Sequence, residues 1–79
     1  MNVEVRLFAT LARDANVAAG SPVPVNLPDR STLTELLGLL HIAEDRIHLV
    51  IIDGRVMHER FFPLVDGCRI GLFPPVGGG

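Results

Sequence analysis

The opening residues alternate in character. Val3, Val5, Leu7 and Ala9 are apolar, and Glu4, Arg6 and Phe8 fill the positions between them. A period of two puts the two sets on opposite faces of a strand. Phe8 is the exception, an aromatic side chain on the otherwise polar face. Residues 10–19 favour a short helix or helical turn, stopped by Gly20-Ser21-Pro22. Val23, Val25 and Leu27 then alternate with Pro24 and Asn26. Proline removes a ladder donor, so this second strand is expected at a sheet edge. Leu33, Leu36, Leu37 and Leu40 recur at helical spacing and predict the main helix, with one apolar stripe turned to the core. Thr32 and Glu35 fit a capping box, with Ser31 as an alternative cap. Gly38 inside that helix should cost roughly 1 kcal/mol relative to alanine.

Residues 47–52 form a short apolar run of strand type, Asp53-Gly54 is a hairpin signal, and Arg55-Val56-Met57 would return. Phe61-Phe62-Pro63-Leu64 reads as a less regular packed segment. After a turn at Asp66-Gly67, Cys68, Ile70 and Leu72 alternate with Arg69, Gly71 and Phe73 in a last strand that Pro74-Pro75 ends. Two strands, a helix and three strands are best satisfied by a helix laid across one face of a small mixed sheet. The first and last strands alternate most strongly and are expected side by side at its centre. The expected fold is α+β, a β-grasp with about five strands, one main helix on one face and a free C-terminal tail. Residues 1–74 would form the domain and residues 75–79 a flexible glycine-rich tail.

Composition sharpens this picture in three places. Seventy-nine residues make one small domain, which buries only about 60% of the surface its unfolded chain exposes. Yet 48% of the residues are hydrophobic, a surplus of the kind that marks a partner face. All seven basic residues are arginine and the net charge is -2, with no basic run to bind nucleic acid. A lone cysteine, Cys68, allows no internal disulfide and points to a reducing compartment. The start reads as a strand rather than a leader, and the apolar runs are too short to span a bilayer. The expected location is the cytoplasm, with no membrane partner.

Side-chain catalysis finds little support. His41, His48 and His58 show no metal-ligand spacing, and no carboxylate cluster completes a site. Ser21 and Ser31 lack the glycine-flanked turn that presents a nucleophile. Cys68 shares its strand face with Ile70 and Leu72 and reads as a buried structural thiol. What stands out is the ending, Pro74-Pro75-Val76-Gly77-Gly78-Gly79. At ~7% glycine usage, three in a row at one fixed place arise by chance in about 3 chains in 10,000. Without Cβ atoms such a segment can enter a narrow cleft. A carboxylate at Gly79 with a pKa near ~3.5 is ionised and a poor electrophile. It becomes reactive once an oxygen is made a leaving group, for example by adenylation, and no side chain then blocks attack on its carbon. A cloning scar or an inert end is the plain alternative.

Phe73-Pro74-Pro75-Val76-Gly77-Gly78-Gly79 and Phe8-Ala9-Thr10-Leu11-Ala12-Arg13-Asp14 are similar to the Phe-Pro-Pro-Val-X-Gly-Gly ending and the Phe-Ala-X-Leu-Arg-Glu segment of a known family. The sequence closely resembles that family, the small subunit of molybdopterin synthase, the molybdopterin-converting factor. Ser31 to Leu37 resembles its helix start, Ile52-Asp53-Gly54-Arg55 its Val-Asn-Gly hairpin, and residues 64–70 its Leu-X-Asp-Gly-Asp-Glu-Val approach to the last strand. Cys68-Arg69 departs from the usual acidic pair. The resemblance implies a sulfur carrier that binds no cofactor or metal itself. A ubiquitin-activating-like adenylyltransferase would use ATP and magnesium to adenylate Gly79. A cysteine desulfurase or rhodanese would supply sulfur to make a thiocarboxylate. The tail, with Gly77, Gly78, Pro75 and Val76, would enter the large subunit and donate sulfur to cyclic pyranopterin monophosphate. Phe8, Phe73 and Pro74 would form the partner-binding surface. Related readings are the thiazole-forming carrier of thiamine synthesis and a ubiquitin-like protein modifier; a pure binding module is the third.

Overall fold

A computed structural model describes residues 1–75. Two ladders from opposite ends of the chain meet at the centre of its sheet. Strand β1 (Asn2–Leu7) lies parallel to the last strand, β5 (Arg69–Phe73), with Val5 opposite Ile70 and Leu7 opposite Leu72. Strand β2 (Pro22–Asn26) pairs antiparallel with β1 on one side. Strand β3 (Leu49–Ile52) pairs antiparallel with β5 on the other, followed outward by the two-residue β4 (Arg55–Val56). The sheet order is β2-β1-β5-β3-β4. With helix α2 (Leu33–Leu39) packed on one face, this is the β-grasp arrangement expected from the pattern.

Alternation decides which residues face the helix. Val3, Val5 and Leu7 of β1, Ile70 and Leu72 of β5 and Val50 of β3 are buried against Leu33, Leu36 and Leu37 of α2. Fully burying a side chain of this kind stabilises by roughly 1.5–3 kcal/mol. The helix starts as its sequence proposes. The Thr32 hydroxyl accepts from the Glu35 backbone N–H at 3.3 Å, and the Glu35 carboxylate accepts from the Thr32 N–H at 3.2 Å. Ser31 is buried instead, donating its hydroxyl to the Pro28 carbonyl at 2.7 Å. At the other end His41 adopts a left-handed φ of 58°, with Ile42 N–H donating to Leu37 and His41 N–H to Gly38. This closes a Schellman motif and gives His41 a helix-ending role.

Three expectations need correction. The first helix, α1, is Ala9–Asp14 rather than residues 10–19. Asn16, at φ 58°, ends it through the same motif, with Val17 N–H donating to Ala12 and Asn16 N–H to Arg13. Ala9 does not continue the buried face of β1; it turns at φ 51° into the helix and is exposed. Phe61 and Phe62 are not packed, being 77% and 52% exposed. Backbone bonds from Thr34 N–H to Arg60 and from Leu64 N–H to Ser31 hold that segment against the start of α2, so that only Leu64 reaches the core.

The outer strand β2 is an edge, as its prolines required. Leu27 and Met1 exchange backbone bonds at 2.8 and 2.6 Å. Bonded and non-bonded pairs alternate along an antiparallel ladder. Pro22 and Pro24, opposite Arg6 and Glu4, therefore fall at the non-bonded pairs, with their nitrogens turned outward. At the other side of the sheet, Asp53 (φ 50°) and Gly54 (φ 83°) form the tight turn between β3 and β4.

Gly38 is exposed, and a Cβ placed on it would meet nothing within 4 Å. Gly38→Ala should therefore stabilise the fold by up to about 1 kcal/mol. The measurement is a higher urea midpoint with an unchanged slope. A lowered midpoint would contradict the open surroundings of this residue.

Candidate functional site

Phe8 follows the last residue of β1, and Phe73 is the last residue of β5. Because Leu7 and Leu72 are register partners, the next residue on each strand leaves the core layer on the opposite face. The two rings stack there, with centroids 4.3 Å apart and planes 6° from parallel. Both are half-buried. This is the face away from α2, where the sequence placed them.

The stack lies on a bed made by missing side chains. A Cβ on Gly71 would come 3.3 Å from Phe73 Cε2 and 3.7 Å from Phe8 Cε2. A Cβ on Gly20, which also holds a left-handed φ of 74°, would come 3.3 Å from Phe8 Cε1. A Cβ at 71 would press on the Phe73 ring and push it by a few tenths of an ångström. Reading motifs did not find these two positions, although a glycine inside a strand signals close approach of another group. Ile51 borders the stack on β3, and Arg6 and Arg69 frame it. A second depression, lined by Ala9, Thr10, His48 and Leu49 with the two rings, opens where Pro74 and Pro75 leave the sheet.

Strand β5 ends firmly. His48 N–H donates to the Phe73 carbonyl at 2.8 Å. Each residue before a proline is held extended, and each proline fixes its own φ. Phe73-Pro74-Pro75 therefore leaves the rings on a restricted heading. Pro74 is half-buried and Pro75 exposed. The remaining tail residues, Val76, Gly77, Gly78 and Gly79, lie outside the described residues.

The other candidate groups have structural work. Cys68 is buried, and desolvation raises its pKa above the ordinary thiol value, with smaller contributions from Asp53 and Asp66 and an opposing bond from the Val65 backbone. A neutral, enclosed thiol is a poor nucleophile. Asp66 accepts from Asn2 N–H at 2.7 Å and Asp53 from Arg69 N–H at 2.9 Å, each bracing a turn. Glu4 pairs with Arg6 at 2.7 Å, and Asp14 with Arg46 at 2.6 Å. Among the described residues no three His, Cys, Asp or Glu side chains gather as a metal site. His48 and His58 are exposed and stand apart. No described helix is long and apolar enough to cross a membrane.

The five-stranded sheet with α2 across one face defines a ubiquitin-like β-grasp protein. More narrowly, the chain belongs to the ThiS family, whose model matches residues 5–79. That family consists of small ubiquitin-like sulfur carriers. Among solved structures it is similar to a chain in the complex of subunits 1 and 2 of molybdopterin-converting factor from Helicobacter pylori. That match has 27% identity, TM-score 0.63 and full coverage of both chains. SAMP1 from Haloferax volcanii matches at 26% identity and TM-score 0.73, again over the whole of both chains. A Pyrococcus furiosus protein assigned as molybdopterin converting factor subunit 1 shares the fold, at 21% identity and TM-score 0.76, covering 96% of this chain and 99% of its own. No curated protein matches the sequence.

Two outcomes test the division between platform and core. Phe73→Ala should weaken binding of a protein that docks on this face by about 2 kcal/mol, as loss of an aromatic anchor does. It should cost only about 1 kcal/mol of fold stability, the worth of one aromatic stack. A large fall in melting temperature with unchanged affinity would reverse that assignment. Cys68 should resist iodoacetamide in the folded protein and react on unfolding. Because folding raises its pKa, the associated stability is fully present below the ordinary thiol pKa and is lost as pH rises through the folded value. Rapid alkylation of the native protein would contradict its burial.

Proposed function

We propose that this chain is the sulfur-carrying small subunit of molybdopterin synthase, with residues 75–79 as its reactive arm. The supporting observation is the apolar Phe8–Phe73 platform at the root of Pro74-Pro75, in a ThiS-family chain whose sequence runs on to three glycines. The described residues offer an adhesive face and a directed exit, so the reagent is assigned to the chain's end. In this reading the carboxylate of Gly79 attacks the α-phosphate of ATP on a ubiquitin-activating-like adenylyltransferase, with magnesium on the phosphates, and pyrophosphate leaves. Sulfur held as a persulfide on a cysteine desulfurase or rhodanese displaces AMP from the acyl carbon. A thiol then reduces the S–S bond and leaves a thiocarboxylate.

The arm next enters the large synthase subunit and gives its sulfur to cyclic pyranopterin monophosphate, regenerating the carboxylate. The side chains that promote this transfer belong to the large subunit, and the small chain supplies no catalytic group beyond its own terminus. The structure of the Helicobacter pylori pair supports such a partner. The Phe8 to Asp14 segment and the double proline favour the molybdopterin reading over the thiazole-forming carrier.

Similarity to SAMP1, a small archaeal modifier protein, favours one second reading, in which an activated Gly79 acylates lysine amines of other proteins. The chain has no lysine, so it could not extend such adducts through its own side chains.

Intact-mass measurement of protein from its native host separates the readings. A sulfur carrier gains the mass difference of sulfur for oxygen at the C-terminus, whereas a modifier appears in larger isopeptide adducts. Deleting Gly78 and Gly79 should leave the melting temperature unchanged and abolish sulfur transfer. Normal transfer by the shortened chain would refute the proposal.

A further inference from the structure

The two arginines that frame the aromatic stack are not equivalent. Arg6 is occupied: its Nε and Nη2 donate to Glu4 at 3.1 and 2.7 Å, and its Nη1 donates to the Gly20 carbonyl at 3.3 Å. Arg69 is exposed, and its side chain forms no ion pair or hydrogen bond among the described residues. Two carboxylates from neighbouring elements, Glu4 and Asp53, are engaged elsewhere. Glu4, its cross-strand neighbour, binds Arg6, and Asp53 accepts from the Arg69 backbone rather than the guanidinium. One unneutralised guanidinium thus stands at the rim of an apolar depression floored by Gly71 and walled by Phe8, Phe73 and Ile51.

We propose that Arg69 reads the charge of the docking partner, and that the protein covering the Phe8–Phe73 platform presents a carboxylate to it beside an apolar side chain. This deepens the proposed function and rests on its assignment of that platform as the docking face. The chemistry favours a protein carboxylate. The depression is apolar and accommodates an apolar side chain, while a planar guanidinium at its edge accepts a carboxylate through two parallel hydrogen bonds. A like charge brought to the same point would be repelled. A guanidinium at a rim acts mainly on encounter rate and partner choice, because solvent still screens it. The aromatic platform supplies adhesion and Arg69 supplies selection. A carrier that must visit an activating enzyme, a sulfur donor and a synthase subunit gains from a charge that excludes wrong surfaces.

The test uses the full-length chain and the large synthase subunit of the same organism, with association followed by stopped-flow fluorescence at low and high salt. Variants are Arg69→Glu, Arg69→Gln and Phe73→Ala. Arg30→Glu, on the loop before α2, controls for the same change in net charge. The expected result is a roughly tenfold slower association for Arg69→Glu at low salt, a smaller loss for Arg69→Gln, and convergence of the two Arg69 variants with wild type at high salt. Melting temperatures should match wild type, since the side chain is exposed. If Arg69→Glu behaves like Arg30→Glu while Phe73→Ala still weakens binding, the charge-reading role is overturned and the docking face stands. If Phe73→Ala also binds normally, or the wild-type chain does not bind, the docking assignment fails and the proposal falls with it.

Discussion

The parallel pairing of β1 with β5 is the constraint on which the rest of this structure depends. It joins strands from opposite ends of the chain, so the intervening hairpins and helix must fit around it. On its inner face Val5, Leu7, Ile70 and Leu72 are almost wholly removed from water. On its outer face the same register sets Phe8 beside Phe73. A slip of β5 by one residue would turn Gly71 and Arg69 toward α2 and drive Ile70 and Leu72 outward. The core therefore enforces the aromatic pair. The hydrophobic register brings the two rings side by side, and the glycines beneath let them lie flat.

The two faces of the sheet divide the chemistry. Toward α2, aliphatic side chains fill the space, and the helix is secured at both ends by backbone and side-chain bonds. Away from it, glycines at 20 and 71 withdraw material so that two large rings can lie flat. The result is apolar surface exposed to solvent, which in so small a domain is tolerable because the opposite face carries the stability. The surplus of hydrophobic residues in the composition is thus partly accounted for by this outer face.

Much of the fold was legible because it rests on long, regular patterns. The alternation of β1 and β5 and the leucine stripe of α2 each repeat often enough to specify a face. The Thr32–Glu35 cap is a local motif with a local cause. Legibility failed where the pattern was short or depended on a distant register. Nothing in residues 10–19 shows that Asn16 will turn left-handed, and Phe61-Phe62 carries no period to say which way its rings point. Backbone bonds to Ser31 and Thr34 decide that. In the candidate site, alternation alone located Phe8 and Phe73 on the outer face. The roles of Gly20 and Gly71 depend on which strands are neighbours, and a single sequence does not state that.

The prolines of β2 carry a consequence for how such a protein behaves at high concentration. Sheets recruit foreign strands through exposed amide hydrogens, and at positions 22 and 24 the outward-facing nitrogens have none to offer. An approaching chain would meet carbonyls without matching donors and could not zip into place. A small domain that already exposes one apolar face gains from a flank that does not also recruit strands. The two pyrrolidine rings on β2 blunt edge-to-edge pairing along this margin.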